Sequence, residues 1–434
     1  MARLDVTYRS LLSFFTFLVS VASVASCQRA GAPVGGSVAG LERDLAVLAA
    51  DSMKGRFTGT PEATAVANYL ARRFAEVGAA PGVPGWLQPF SIDSRAPAVA
   101  SIAEAHRPSS GANVVALVRG SDPTLRDEYV IVGAHYDHLG FGYTGIRGPE
   151  QVGQIHNGAD DNASGAVALV AIARELAAKP PRRSVLFLSF AGEEFGLIGS
   201  DAYVKAPVVP LDRTVAMINL DMVGRLRNDR LLAFGSETAT ELPALLDSLN
   251  QSAGFDLQAS GDGYGRSDQQ SFYLAKKPVI HLFTDLHEDY HRPSDDAERI
   301  NVEGLARVAS FASSLARALA DRRAPLTFVD HPPPAQAAAP ARTGGYGAYL
   351  GSIPDMSGGG PGVRLSGVRP SSPADQAGLK EGDVLLKIGE HEVPDLQGMT
   401  NALRAHRPGD TVTVVFRRGA ATDSTVVVLG SRGS

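Results

Sequence analysis

Four short apolar runs lie in the middle of this chain, and three of them lead into residues of the types that can bind metals. Residues 130–134 run into His135-Tyr136-Asp137, residues 185–190 into Gly192-Glu193-Glu194, and residues 215–220 into Asp221. The fourth, residues 278–283, is followed by Tyr290-His291. Runs of this kind are what strands buried on both faces look like. Between the first two, residues 165–178 place Val167, Val170, Ile172 and Leu176 at helical spacing, and residues 302–319 form a long closing helix. Helical periodicity also begins at Leu41 and recurs over residues 60–77. Strands alternating with helices predict an α/β three-layer sandwich, its mostly parallel mixed sheet flanked by helices. In such sheets ligands collect beyond the carboxyl ends of the strands, where these motifs fall.

One more motif, Gly158-Ala159-Asp160-Asp161-Asn162-Ala163-Ser164-Gly165, is a polar turn that opens a helix. Two histidines and several carboxylates are nitrogen and oxygen ligands that zinc accepts, and a shared carboxylate allows two ions side by side. Peptide hydrolysis by two metals requires an acidified water, a base for its proton and a partner for the carbonyl oxygen. The side chains of Glu193 and Glu194 diverge at a strand end, so one can bind metal while the other faces the water. Asp161 is placed to bridge two ions. Asp137 can accept a hydrogen bond from the second nitrogen of His135 and set its tautomer. Tyr290 offers a phenolic donor to a developing oxyanion. Singly, each motif has a plain structural reading: a buried hydrogen bond, a solvated acidic pair, a turn. Their order at strand ends carries the inference.

The series His135-x-Asp137, Gly158 to Gly165, Glu193-Glu194-x-Gly196-Leu197-x-Gly199-Ser200, Asn219-x-Asp221-Met222 and Tyr290-His291 resembles the secreted di-zinc aminopeptidase family over residues 41–320. That family includes bacterial leucyl aminopeptidase and aminopeptidase Y. The resemblance implies two Zn2+ ions, with His135 and Asp221 on one, Glu194 and His291 on the other, and Asp161 between them. It implies Glu193 as general base, Asp137 as orienting partner of His135, and Asp295 as the acid that follows the last ligand histidine. The substrates implied are peptides with a free N-terminus. The family also holds glutaminyl cyclases, so two rivals stand: a cyclase-like transferase, and an envelope adaptor whose peptidase domain is inactive. Met222, Phe272 and Phe283 are candidate pocket residues, and residues 261–268 a candidate substrate loop. His138 and His156 flank a glycine-rich loop, residues 139–158, expected to rim the site; neither they nor His281 are assigned to metal.

Residues 323–345 shift to Pro and Ala, the composition of a semi-rigid linker. Beyond it, residues 346–432 resemble a bacterial PDZ domain through Tyr349-Leu350-Gly351, Gly367-Val368-Arg369-Pro370, Ala377-Gly378-Leu379, Gly382-Asp383-Val384-Leu385 and Pro408-Gly409-Asp410. The resemblance implies a C-terminal peptide ligand added as a strand, its carboxylate held in a nest at Leu350 and Gly351, with residues 396–403 as the groove helix. Pro354 departs from the pattern, because it removes a backbone donor from the pairing strand.

At the other end, Arg3 and Arg9 precede an apolar stretch over residues 11–24 and then Ala25-Ser26-Cys27, the organisation of a signal peptide. The stretch falls short of the roughly 20 residues that span a bilayer as a helix. Cys27, the only cysteine, stands where bacterial lipoprotein signals, which residues 1–27 resemble, carry lipid. The expectation is an exported envelope lipoprotein, membrane-anchored through Cys27, with residues 28–40 as a flexible linker and no disulfide within the chain. A formal charge of −5 argues against a nucleic-acid partner, and 434 residues suggest two or three domains.

Overall fold

The computed structural model describes residues 1–2, 38–146, 149–265, 267–332, 348–354, 362–394 and 396–430. The signal segment, Cys27 and most of the stretch preceding Leu41 lie outside them.

The four apolar runs are four adjacent strands. They are β4 (Tyr129–His135), β5 (Ser184–Phe190), β6 (Thr214–Leu220) and β9 (Val279–Phe283), in the order β5-β4-β6-β9 and parallel throughout. Strands β1 (Ala80–Pro81), β2 (Leu87–Ser91) and β3 (Ser110–Val118) add antiparallel on the β5 side, and β7 (Arg230–Phe234) with β8 (Asp256–Ser260) beyond β9. The expectation of a mostly parallel sheet therefore holds for its centre. Over the whole sheet, four pairings are parallel and four antiparallel.

Alternation along the strands creates the three layers. Val130, Val132 and Ala134 of β4 face one core with Val185 and Phe187 of β5, while Ile131, Leu186 and Leu188 face another. Helices α1 (Val38–Leu48), α2 (Pro61–Glu76), α4 (Gly165–Ala178) and α8 (Val302–Asp321) cover the first face. Helix α5 (Ile198–Lys205), through Tyr203, and α7 (Gln269–Leu274), through Phe272 and Tyr273, cover the second. Helix starts follow local chemistry. Thr60 accepts a hydrogen bond from Ala63 N ahead of Pro61 in α2, and Asn301 accepts one from Gly304 N at the head of α8.

Part of the stretch expected to be linker is anchored instead. Phe328 bridges to Ala239, Thr327 bonds Glu241, and His331 N donates to the Tyr273 hydroxyl. Within residues 348–430 a second sheet runs in the order β10 (Ser352–Pro354), β11 (Val363–Val368), β12 (Val384–Ile388), β14 (Thr411–Arg418) and β15 (Ala421–Val428), with β13 (His391–Glu392) paired to β12, and has its own core around Leu365, Leu385, Ile388 and Val414. Leu350 is buried there and Gly351 takes φ +82°, where a Cβ would strike Ser372 at 2.2 Å. The expected groove helix is present as α10 (Leu396–Ala405), and Pro354 ends the described part of edge strand β10 (Ser352–Pro354), beside a register shift. Among the described residues, no helix is long and apolar enough to cross a membrane.

Candidate metal centre

The strand ends bring together all five expected ligands. His135 closes β4, and its Nε2 lies 3.3 Å from Asp161 Oδ1 and 3.3 Å from Asp221 Oδ1, just past β6. His291 Nε2 lies 3.1 Å from Asp161 Oδ2 and 3.2 Å from Glu194 Oε2. The Asp161 carboxylate thus gives one oxygen to each histidine. Glu193 Oε2 stands 4.0 Å from His135 Nε2, on the Asp221 side. Two groups, His135-Glu193-Asp221 and His135-Asp161-Glu194, each hold their ligand atoms within 4.8 Å of one another.

The polar letters around Asp161 are used to fix it. Asn162 Oδ1 accepts from Gly165 N and Met222 N, while its Nδ2 donates to Leu220 O, so the turn is tied to the end of β6. Ser164 accepts from Val223 N, and Asp160 from Gly224 N. Asp295 Oδ2 accepts from the N–H groups of both Asp160 and Asp161, which makes it a clamp on the turn that carries the shared carboxylate. Gly158 precedes this turn with φ +56°, and a Cβ there would meet the His138 ring at 2.4 Å.

Asp137 works differently from expectation. His135 Nδ1 is 3.2 Å from the Asp137 backbone carbonyl but 3.7 Å from its carboxylate, so the main chain takes the imidazole N–H. The carboxylate is engaged elsewhere: it accepts from Thr58 Oγ1 and from Glu193 N, and so positions the proposed base. His291 Nδ1 meets the Gly145 carbonyl of the rim loop at 2.7 Å. Asp221 Oδ2 accepts from Ser267, which also receives the Asn219 amide. The loop considered for substrate contact therefore holds the carboxylate of a candidate ligand.

Burial alone would lower His135, yet the charges of Asp221 and Glu193 raise it well above its ordinary value. Burial likewise opposes protonation of His291, but Glu194 and Asp161 push it up to about 10. Asp161 is buried, which would raise it, and the two imidazoles hold it well below the carboxylate range instead. Glu194, raised by burial and Asp161, is brought to about 2 by His291 and His138. Glu193 goes the other way: burial, with Asp221, Glu194 and Asp268 adding, lifts it well above normal. Such a buried acidic cluster retains protons on its imidazoles in place of other cations, which is the donor set and the charge balance that zinc fits.

Of the pocket candidates, Met222 and Phe283 pack with Leu232, Phe234, Leu286 and Tyr290. Tyr290 also lies against His291, ring centres 3.9 Å apart. Phe272 does not belong there; it is buried under α5 against Tyr203 and Phe190. Sequence reasoning missed His138, whose Nδ1 sits 2.5 Å from Glu194 Oε1 although its letter stands beside the first motif. It also missed the fully buried Arg56, for which no local signal exists.

Residues 113–316 match the profile of Peptidase family M28, and residues 348–429 that of the PDZ domain. Aminopeptidase YwaD of Bacillus subtilis (strain 168) is 27% identical over 197 residues, covering 43% of this chain and 40% of the relative. The chain spans less than half the length of several curated relatives that it matches. An aminopeptidase from Aneurinibacillus sp. strain AM-1 superposes with a TM-score of 0.52 at 17% identity, over 68% of this chain and 96% of that one. A glutaminyl cyclase of Bacteroides thetaiotaomicron reaches 0.51 at 18%, over 64% and 97%. At those identities the likeness speaks to fold.

Proposed function

This chain is a member of peptidase family M28 with an appended PDZ domain, and from that premise we propose that it is an exported zinc aminopeptidase acting on peptides with a free N-terminus. The observation that carries the reading is the division of the Asp161 carboxylate between His135 and His291, each backed by a further acid. His135, Asp161 and Asp221 would hold one zinc, and Asp161, Glu194 and His291 a second. When bound, zinc supplies Lewis acidity toward water and the peptide carbonyl.

The chain's own residues do the rest. Glu193 takes the proton from the attacking water and returns it to the leaving amine; its raised affinity for protons suits a group that must carry one between steps. Asp137 and Thr58 hold the Gly192-Glu193 turn so that this carboxylate faces the reacting centre. Tyr290, against His291, is assigned the donor role toward the oxyanion. Met222 and Phe283 offer the first side chain an apolar wall. The PDZ domain is read as a holder of C-terminal peptide segments through Leu350 and Gly351, and the N-terminus as an envelope anchor through lipid on Cys27.

The test is a panel of aminoacyl amides and glutaminyl peptides, run with bound zinc measured before and after chelation. Zinc-dependent release of N-terminal residues is the expected result. Cyclised product from glutaminyl peptides would assign the site to the transferase reading, and two tightly held ions without turnover to the adaptor.

A further inference from the structure

Arg56 lies outside the residues that match the peptidase profile, and its side chain is completely buried. A buried guanidinium normally faces a carboxylate. Here every partner is a backbone carbonyl. Nε donates to Tyr136 O at 2.7 Å, Nη1 to Asn157 O and to Leu48 O at 3.4 Å, and Nη2 to Gly158 O at 2.5 Å and Asp161 O at 3.3 Å. Five N–H groups meet five acceptors, the full donor capacity of the group.

Four of those acceptors belong to the two loops that carry metal ligands. Tyr136 separates His135 from Asp137, and residues 157–161 lead to and include the shared aspartate. The arginine is itself delivered by a strained turn. Lys54, Gly55 and Arg56 all take left-handed φ, of 44°, 67° and 35°. A Cβ on Gly55 would strike the carbonyls of His156 and Gly140 at 2.5 and 2.6 Å, so the turn is wedged against the rim loop. Strain of this kind persists where the surroundings over-determine it.

We propose that Arg56 is a positioning residue that holds the His135 loop and the Asp161 loop in their ligand-binding arrangement before any ion enters. The inference rests on the metal-centre reading above. Its planar fork is what the role requires, because one ammonium cannot reach carbonyls on both loops in a fixed plane. A buried cation also offsets the carboxylates of Asp161, Asp295, Asp137 and Glu194 in the metal-free protein.

The test uses full-length protein with zinc as the only ligand. Arg56→Lys and Arg56→Met should both bind zinc about 10- to 100-fold more weakly than the parent in competition with a chelator, as loss of support behind ligands does. Their kcat should recover as free zinc is raised, which a merely structural lesion would not allow. Variants that fold yet bind zinc within twofold of the parent, or a lysine variant that behaves as wild type, overturn the proposal. Should neither variant fold, amide hydrogen exchange on the parent decides. Residues 135–137 and 158–162 should be protected in the chelated protein nearly as well as in the zinc-loaded one. Free exchange there without zinc refutes preorganisation. A parent that binds no zinc at all would instead sink the metal-centre reading, leaving the protection result to judge Arg56 alone.

Discussion

His138 Nδ1 approaches Glu194 Oε1 to 2.5 Å, while the other oxygen of the same carboxylate lies 3.2 Å from His291 Nε2. One glutamate is thus held from behind by an imidazole and turned toward the ligand cluster with its free oxygen. Such outer partners fix the orientation of a ligand and tune its basicity. His138→Gln should weaken zinc binding at the Glu194 side by about 10- to 100-fold, with activity restored by added zinc. Unchanged zinc affinity in a chelator titration would show that the contact does not bear on the metal.

The adjacent glutamates should separate in a paired measurement. Glu193→Gln keeps shape and ligands but removes the base, so kcat should fall roughly 100- to 10,000-fold at unchanged zinc content. Glu194→Gln should shed one ion and recover in part at high zinc. If Glu193→Gln loses zinc as Glu194→Gln does, the two roles have been assigned wrongly.

Metal entry should be visible as protons leaving. His291 is raised to about 10, and His135 is shifted in the same direction, so at pH 8 the metal-free protein carries a proton on His291 that must leave before that ring can bind. Calorimetric zinc titrations in buffers of different ionisation enthalpy should report about one proton or more released per chain. Release of well under one would mean that His291 is already neutral.

Strands β4, β5, β6 and β9 could be read from letters because burial on both faces leaves an uninterrupted apolar run. β8 could not be, since most of its residues face solvent and Asp-Leu-Gln-Ala-Ser carries no periodic signal. The cluster of candidate ligands was legible for a related reason: carboxylates and imidazoles at strand ends are distinctive side chains. Arg56 was not. Its loop partners lie 80 to 105 residues away and are backbone carbonyls, which every amino acid possesses alike. Asp137 was half legible, as the spacing to His135 was informative but did not tell carbonyl from carboxylate.

Acid should destabilise the metal-free protein through His281. Burial lowers this histidine to about 4 from an unfolded value of 6.5, and its Nε2 has no hydrogen-bond partner among the described residues. The unfolded chain takes up the proton first as pH falls, so the stabilising contribution is complete above about pH 6.5 and is lost on the way down to about 4. The loss should be about 2 kcal/mol, allowing for a ring that retains some solvent contact. In urea unfolding of chelated protein, His281→Phe should flatten that part of the pH profile; an identical acid limb would point to other groups.

For the N-terminus, Cys27→Ala should move the protein from the membrane to a soluble fraction. A single acyl chain binds only marginally, so anchoring would depend on the several chains of a mature lipoprotein. Equal sedimentation of variant and parent with membranes would remove the lipid assignment.

The five candidate ligands reach one point from segments spread between His135 and His291, around the adjacent strands β5, β4, β6 and β9. No fragment of the chain short of His291 contains a complete set. During synthesis, which proceeds from the amino end, the centre cannot exist until β9 has docked beside β6 and the turn after it has closed. On the proposed peptidase reading, the site therefore cannot act before residue 291 has been made.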